Sequence, residues 1–164
     1  KGVFRPEALF SGEPHSRRWR TPFETSCSVM PVPGGPEMAR ILVSEWHDEA
    51  RQFVKYVLTE AGHEVLTAAR AAEVWLQPGL STIDLLVTSL RLPDMSGDEL
   101  VRQLWAAGHR MPVVVMTSFP GEVSIPSNPS GRVQVLRKPF SSEALRDTVE
   151  HALSFPRDGD QGTP

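Results

Sequence analysis

The chain has 164 residues, with 17 Lys and Arg against 20 Asp and Glu, a formal net charge of −3 and one cysteine, Cys27. This length suits one domain with a full core and additional terminal segments. The slightly acidic balance gives no basic field for nucleic acid, and one cysteine excludes an internal disulfide framework. No apolar run approaches the roughly 20 residues that span a bilayer, so we expect a cytoplasmic protein that binds neither nucleic acid nor membrane.

Residues 1–37 are rich in proline and show no sustained hydrophobic period. Such a segment buries too little apolar surface to offset its ordering entropy, so we predict a flexible N-terminal segment. Within it, Arg17–Arg18–Trp19–Arg20 is either a small docking motif for acidic or phosphorylated surfaces or, more simply, part of a solvated tail. Met38 looks like a natural start, and the folded domain is predicted to cover residues 38–156, followed by a loose tail at 157–164.

From Arg40 onward, short apolar runs alternate with amphipathic stretches. The runs predict five buried strands, at Ile41–Val43, Glu64–Ala68, Ile83–Ser89, Pro112–Thr117 and Val133–Arg137. The stretches between them predict helices that begin at Asp48, Ala71, Gly97 and directly after the capping residue Ser141. This alternation predicts a doubly wound α/β fold with a five-stranded parallel sheet in the flavodoxin-like order 2-1-3-4-5.

The stretch 118–131, between the fourth and fifth strands, contains Pro120, Pro126 and Pro129. Proline removes a backbone donor and clashes with the preceding turn, so the fourth crossover helix is predicted to be short or missing. In the first helix, one buried face is predicted to include Phe53 together with Val54, Val57 and Leu58. We interpret three tryptophans as core and rim packing: Trp46, Trp75 and Trp105. Four histidines show no metal-ligand spacing, and we place them in turns or on polar helix faces: His15, His63, His109 and His151.

The centre of the pattern is the stretch IDLLVTSLRLPDMSG, residues 83–97, a buried strand that ends at Ser89 and passes into the turn Pro93–Gly97. The carboxyl end of a central parallel strand is where open α/β folds place their chemistry. Together with the order of the elements, this stretch resembles the receiver domain of two-component response regulators, from Ala39 to about Phe155. The resemblance implies the CheY-like form of the flavodoxin-like fold and a role in bacterial phosphorelay signalling.

The resemblance also implies site positions. In receiver domains an aspartate after the third strand accepts a phosphoryl group, two acids after the first strand help it to hold Mg²⁺, and a hydroxyl and a lysine bind the phosphoryl group. In this chain the acceptor position is Ser89, and the acid pair is Glu45–Trp46. Thr117 and Lys138 match the hydroxyl and lysine positions, and Val135 stands where receivers carry a switch aromatic.

One of the three expected carboxylates remains, which is too few for Mg²⁺, an ion that needs several hard oxygen ligands. We therefore predict a degenerate pseudo-receiver pocket without a metal or cofactor, with Glu45 as the only retained acid. Thr117 is then expected to cap its strand, and Lys138 to pair with Glu45. The predicted function is a stand-alone, non-enzymatic domain that binds a histidine kinase or another regulator independently of phosphorylation, as a monomer or weak homodimer.

Two alternatives stay open. One is an atypical response regulator that is phosphorylated on a non-standard acceptor, such as Asp94 or Ser89. The other is a small hydrolase in which Ser89 is the nucleophile, His47 its base and Glu45 the acid that orients the base. No Gly-x-Ser-x-Gly elbow surrounds Ser89, which weakens the second alternative.

Overall fold

The computed structural model describes residues 38–125 and 132–155, which form a parallel sheet with helices on both faces. The strands are β1 (Arg40–Ser44), β2 (Glu64–Ala68), β3 (Leu85–Ser89), β4 (Val113–Thr117) and β5 (Val133–Arg137). The helices are α1 (Asp48–Glu60), α2 (Ala71–Trp75), α3 (Gly97–Ala106) and α4 (Ser142–Leu153), with short 3-10 turns at Leu80–Thr82 and Pro120–Glu122. The sheet order is β2-β1-β3-β4-β5, which confirms the predicted doubly wound fold.

Two apolar clusters, one on each face of the sheet, hold these layers together. Successive strand residues point to opposite faces. Leu42 and Leu86 therefore pack toward α2 and α3, while Val43 and Val87 pack toward α1 and α4. Every residue of β3 and β4 is buried, and this is why those strands read as continuous apolar runs instead of alternating ones.

The predicted loss of the fourth crossover helix is confirmed as far as the described residues reach. After β4 the chain makes the 3-10 turn Pro120–Glu122. The described residues between β4 and β5, which are 118–125 and 132, contain no α-helix. Ser124 fastens this connection to α3, because its N–H and its Oγ both lie 2.7 Å from Asp98 Oδ2. The predictions for 126–131, for the terminal segments 1–37 and 157–164, and for the Arg17–Arg20 motif fall outside the described residues.

Two side chains differ from the sequence-based expectation. Phe53 is 41% exposed and its ring lies 6.3 Å from that of Phe140, because the buried stripe of α1 is narrower than predicted. His63 is buried instead of standing in an open turn, since the turn between α1 and β2 folds it against the start of β1. There its Nδ1 accepts a hydrogen bond of 3.3 Å from Ala39 N–H. Burial lowers the pKa of His63, and the Glu150 carboxylate acts in the opposite direction.

Candidate functional site

A cleft of about 170 Å³ opens at the carboxyl ends of β3, β4 and β5. Four of the five predicted site residues, Trp46, Ser89, Thr117 and Lys138, line it. The fifth, Glu45, is fully buried and lies directly behind Lys138, whose ammonium it contacts. The structure therefore brings together all the residues that the sequence analysis assigned to one pocket.

The sheet register and one glycine position the floor of this cleft. Ser89 pairs with Met116, and the next residue, Thr117, pairs with Arg137, so parallel strands deliver their last side chains to one edge. Helix α3 begins very close to this edge, because Gly97 N–H donates to Leu90 O at 2.8 Å. A Cβ at Gly97 would lie 2.3 Å from the carbonyl oxygen of Ser89, so the close approach requires glycine.

The central contact of the site is an ion pair between Glu45 and Lys138. Lys138 Nζ lies 2.5 Å from Glu45 Oε2, and the other carboxylate oxygen, Oε1, accepts the His47 backbone N–H at 2.9 Å. Lys138 Nζ also lies 3.4 Å from Ser89 Oγ. The predicted pairing of Lys138 with Glu45 is thus present, and both oxygens of the remaining carboxylate are engaged within the protein.

Trp46 and Thr117 have different surroundings. Trp46 is 54% exposed at the mouth of the cleft, with its ring edge-on to the His47 ring at a centroid distance of 5.5 Å. Trp46 therefore lies at the rim of the cleft and not in the core, because it follows β1 in a loop that holds its side chain outside both apolar clusters. Thr117 is buried, and its Oγ1 accepts the Phe119 N–H at 3.0 Å, which is the expected strand cap. Val135 lies on the edge strand and is 42% exposed.

The donor set of this pocket does not fit Mg²⁺. That ion needs near-octahedral oxygen coordination and is usually held by one or two carboxylates with open lone pairs. Glu45 brings only one carboxylate, and each of its oxygens already accepts a hydrogen bond, from Lys138 or from His47, that competes with a metal ion. Across residues 38–125 and 132–155 no group of three His, Cys, Asp or Glu side chains is arranged to hold a metal ion.

Asp94, the alternative acceptor considered in the sequence analysis, lies outside the cleft lining, and its carboxylate binds the start of a helix. Its carboxylate accepts the Ala71 N–H at 3.0 Å and the Ala72 N–H at 2.8 Å, so it caps the N-terminus of α2. Desolvation raises the pKa of Asp94, but these backbone hydrogen bonds and the nearby Arg70 together lower it below its ordinary value.

The serine triad considered from the sequence is not assembled. His47 contacts Glu45 through its backbone N–H, not through its imidazole. Among the described residues no hydrogen bond joins the His47 ring to Ser89. The side chain that contacts Ser89 is instead Lys138, which is ion-paired with Glu45.

Five residues that line the cleft were missed by sequence analysis: Leu90, Arg91, Met116, Ser118 and Phe119. Phe119 is 57% exposed and lines the cleft, and the guanidinium of Arg91 lies 5.6 Å above its ring centroid. Arg91 also pairs with Glu122 at 3.0 Å. An aromatic residue two positions beyond the end of a central strand is a signal that could have placed Phe119 at this edge.

Comparisons with known proteins agree with this geometry. The family model for the response regulator receiver domain matches residues 41–150. The chain is 29% identical over 119 residues to a chemotaxis protein CheY homolog of Campylobacter jejuni, covering 70% of this chain and 92% of that protein. It is 28% identical to the response regulator receiver protein CpdR of Brucella abortus, covering 71% and 98%. A solved receiver domain from Clostridium thermocellum superposes with a TM-score of 0.62 at 25% identity, covering 71% and 94%.

Proposed function

The chain belongs to the response regulator receiver domain family, and from that premise we propose that it acts as a pseudo-receiver that signals without accepting a phosphoryl group. The observation that carries this proposal is the replacement of the acceptor by Ser89 beside a Glu45–Lys138 ion pair. Phosphoryl transfer to a receiver needs an anionic nucleophile and a metal ion that neutralises the incoming charge. A neutral hydroxyl and a carboxylate with both oxygens engaged supply neither.

The proposed activity is protein–protein interaction, with no catalysis, no cofactor and no nucleic acid. As a receiver domain the chain is a component of two-component signalling. The names of its relatives, a chemotaxis protein and a response regulator receiver protein, support a signalling partner such as a histidine kinase or another regulator. A cytoplasmic site of action fits that class of partner, and none of the described helices is long and apolar enough to cross a bilayer.

Incubation with acetyl phosphate and Mg²⁺, followed by intact-mass measurement, tests this proposal. The protein should gain no phosphoryl group under conditions in which an active receiver domain, run in parallel, is labelled. Binding to candidate histidine kinases, measured by calorimetry, should have the same affinity with and without the phosphodonor. Labelling of the protein, or binding that depends on the phosphodonor, would show that it is an atypical but phosphorylatable response regulator.

A further inference from the structure

The floor of the cleft offers hydrogen-bond donors without matching acceptors. Ser89 and Thr117 are each 5% exposed and line the cleft. An ammonium has three N–H donors, and that of Lys138 directs one to Glu45 and one toward Ser89 Oγ, which leaves a third. The hydroxyl oxygens of Ser89 and Thr117 accept hydrogen bonds from Lys138 and from the Phe119 N–H, while neither hydroxyl proton has an acceptor among the described residues. A ligand at this floor therefore needs acceptor atoms.

The mouth of the cleft is aromatic. Trp46 and Phe119, which come from loops after different strands, each expose more than half of their surface and line the same opening. Leu90 and Met116 add apolar surface to the lining of the cleft. Aromatic side chains contribute large apolar area and favour stacked or edge-on contacts with planar groups. The combination of apolar walls with a few convergent polar groups is typical of small-molecule sites.

The charge of the cleft limits the ligand. Lys138 is balanced by Glu45, and Arg91 at the rim is balanced by Glu122. A doubly charged phosphate would find no uncompensated cation among these groups, and removing it from water would be costly. A single carboxylate or an uncharged carbonyl can instead accept from the two hydroxyls and the third Lys138 N–H. The volume, about 170 Å³, suits a ligand with one ring.

We propose that this cleft binds a small planar organic compound that carries one acceptor group of at most a single negative charge. The ring lies between Trp46 and Phe119, and the acceptor group faces Ser89, Thr117 and Lys138. The proposal rests on the proposed loss of phosphotransfer, because a phosphorylated pocket would leave no room for such a ligand. Binding is measured directly on the unphosphorylated protein, so a protein that binds the ligand in this form and also labels with acetyl phosphate would refute the proposed function alone.

The test is a titration of the ¹⁵N-labelled full chain with benzoate and, separately, with benzamide. We expect saturable shifts of the Trp46 indole N–H and of the Ser89 and Phe119 amides, with a Kd on the order of 1 mM for ligands of this size. Trp46→Ala and Phe119→Ala should each weaken binding by about fivefold, and Ser89→Ala by about threefold. Trp75→Ala is the matched control, because Trp75 contacts His109 away from the cleft and should leave the Kd unchanged.

Three results would overturn the proposal. The first is the absence of saturable shifts at the cleft with either compound. The second is an equal change of the Kd in the Trp46→Ala variant and in the Trp75→Ala control. The third is tighter binding of inorganic phosphate than of benzoate, since that would show that the floor selects a multiply charged anion.

Discussion

At the residue scale, the state of the pocket depends on the buried carboxylate of Glu45. Its side chain is 1% exposed, and it is neutralised by Lys138, whose side chain is 26% exposed. Removing one partner of a buried pair leaves the other charge unsolvated, which costs more than the pair itself contributes. The pair links the loop after β1 to the residue after β5, and removing either partner alone is expected to destabilise the fold.

Lys138→Met should lower the free energy of unfolding by about 2–3 kcal/mol. This loss is at the low end of the range for breaking a buried ion pair, because the Lys138 side chain is partly exposed. Urea denaturation measures this value. The double variant Lys138→Met with Glu45→Gln should recover most of the loss, since no charge then remains buried. Lys55→Met, at an exposed position of α1, is the control and should stay within about 0.5 kcal/mol of the parent. Equal effects of the two lysine variants would show that Glu45 is solvated without its partner.

Ser89→Asp alone should not restore labelling by acetyl phosphate. It adds a nucleophile, but the Mg²⁺ ligands would then be Glu45, which is engaged by Lys138, and the new carboxylate. Trp46→Asp together with Ser89→Asp adds two carboxylates to that of Glu45, so that three lie beside Thr117 and Lys138, and this double variant should bind Mg²⁺ and label measurably. Intact-mass measurement reads out both variants. Efficient labelling of the single variant would show that the pocket is one substitution from activity.

The buried imidazole of His63 should make the fold sensitive to acid. Its folded-state pKa is lowered, so below the unfolded value of about 6.5 the unfolded chain binds more protons and stability falls with decreasing pH. The loss begins near pH 6.5 and continues toward the lowered folded-state pKa. His63→Gln should flatten this part of a pH–stability curve measured by urea denaturation, whereas His151→Gln, at an exposed position of α4, should not. Curves of equal slope for all three proteins would contradict this assignment.

At the scale of elements, the approach of α3 to the end of β3 sets the depth of the cleft. Ser96 caps α3 by accepting the Glu99 N–H, and the helix begins at Gly97, against the backbone of Ser89. No side chain larger than hydrogen fits at that position without moving the helix. The floor of the cleft is therefore coupled to the start of one helix.

Gly97→Ala should destabilise the fold by about 2–3 kcal/mol, because its Cβ would lie 2.3 Å from Ser89 O and helix or strand must shift. Thermal unfolding followed by circular dichroism gives the size of the effect. Gly121→Ala is a matched control, since a Cβ there meets no atom within 4 Å and the residue has no positive φ. If both substitutions are neutral, α3 adjusts its position freely and does not define the cleft.

At the scale of the whole molecule, the segment 1–37 is expected to be dispensable for the receiver fold. Its proline content and lack of periodicity predict little buried apolar surface. Deleting it should leave the Tm of the domain that starts at Met38 almost unchanged in calorimetry. A fall of many degrees would show that the segment packs on the domain and that the predicted boundary is wrong.

Hydrophobic pattern alone predicted the order of elements, because strands buried on both faces require continuous apolar runs and parallel strands require crossovers. The prolines of 118–131 predicted the short or missing fourth helix, since proline disrupts a helix locally. The resemblance to receiver domains, taken position by position, predicts that Glu45 is the one retained acid and that Ser89 stands at the acceptor position. All of these are local properties of the chain, and local properties can be read from sequence.

Other features were decided only by tertiary structure. The sequence predicted that Lys138 pairs with Glu45, but only the fold brings these residues, 93 positions apart, to a distance of 2.5 Å. Exposure of Trp46, burial of His63 and the place of Phe119 at the cleft likewise depend on which distant elements pack beside each side chain. A hydrophobic period fixes which face of an element is buried. It carries no information about the loops, and in this fold the site is built from loops at the carboxyl edge of the sheet.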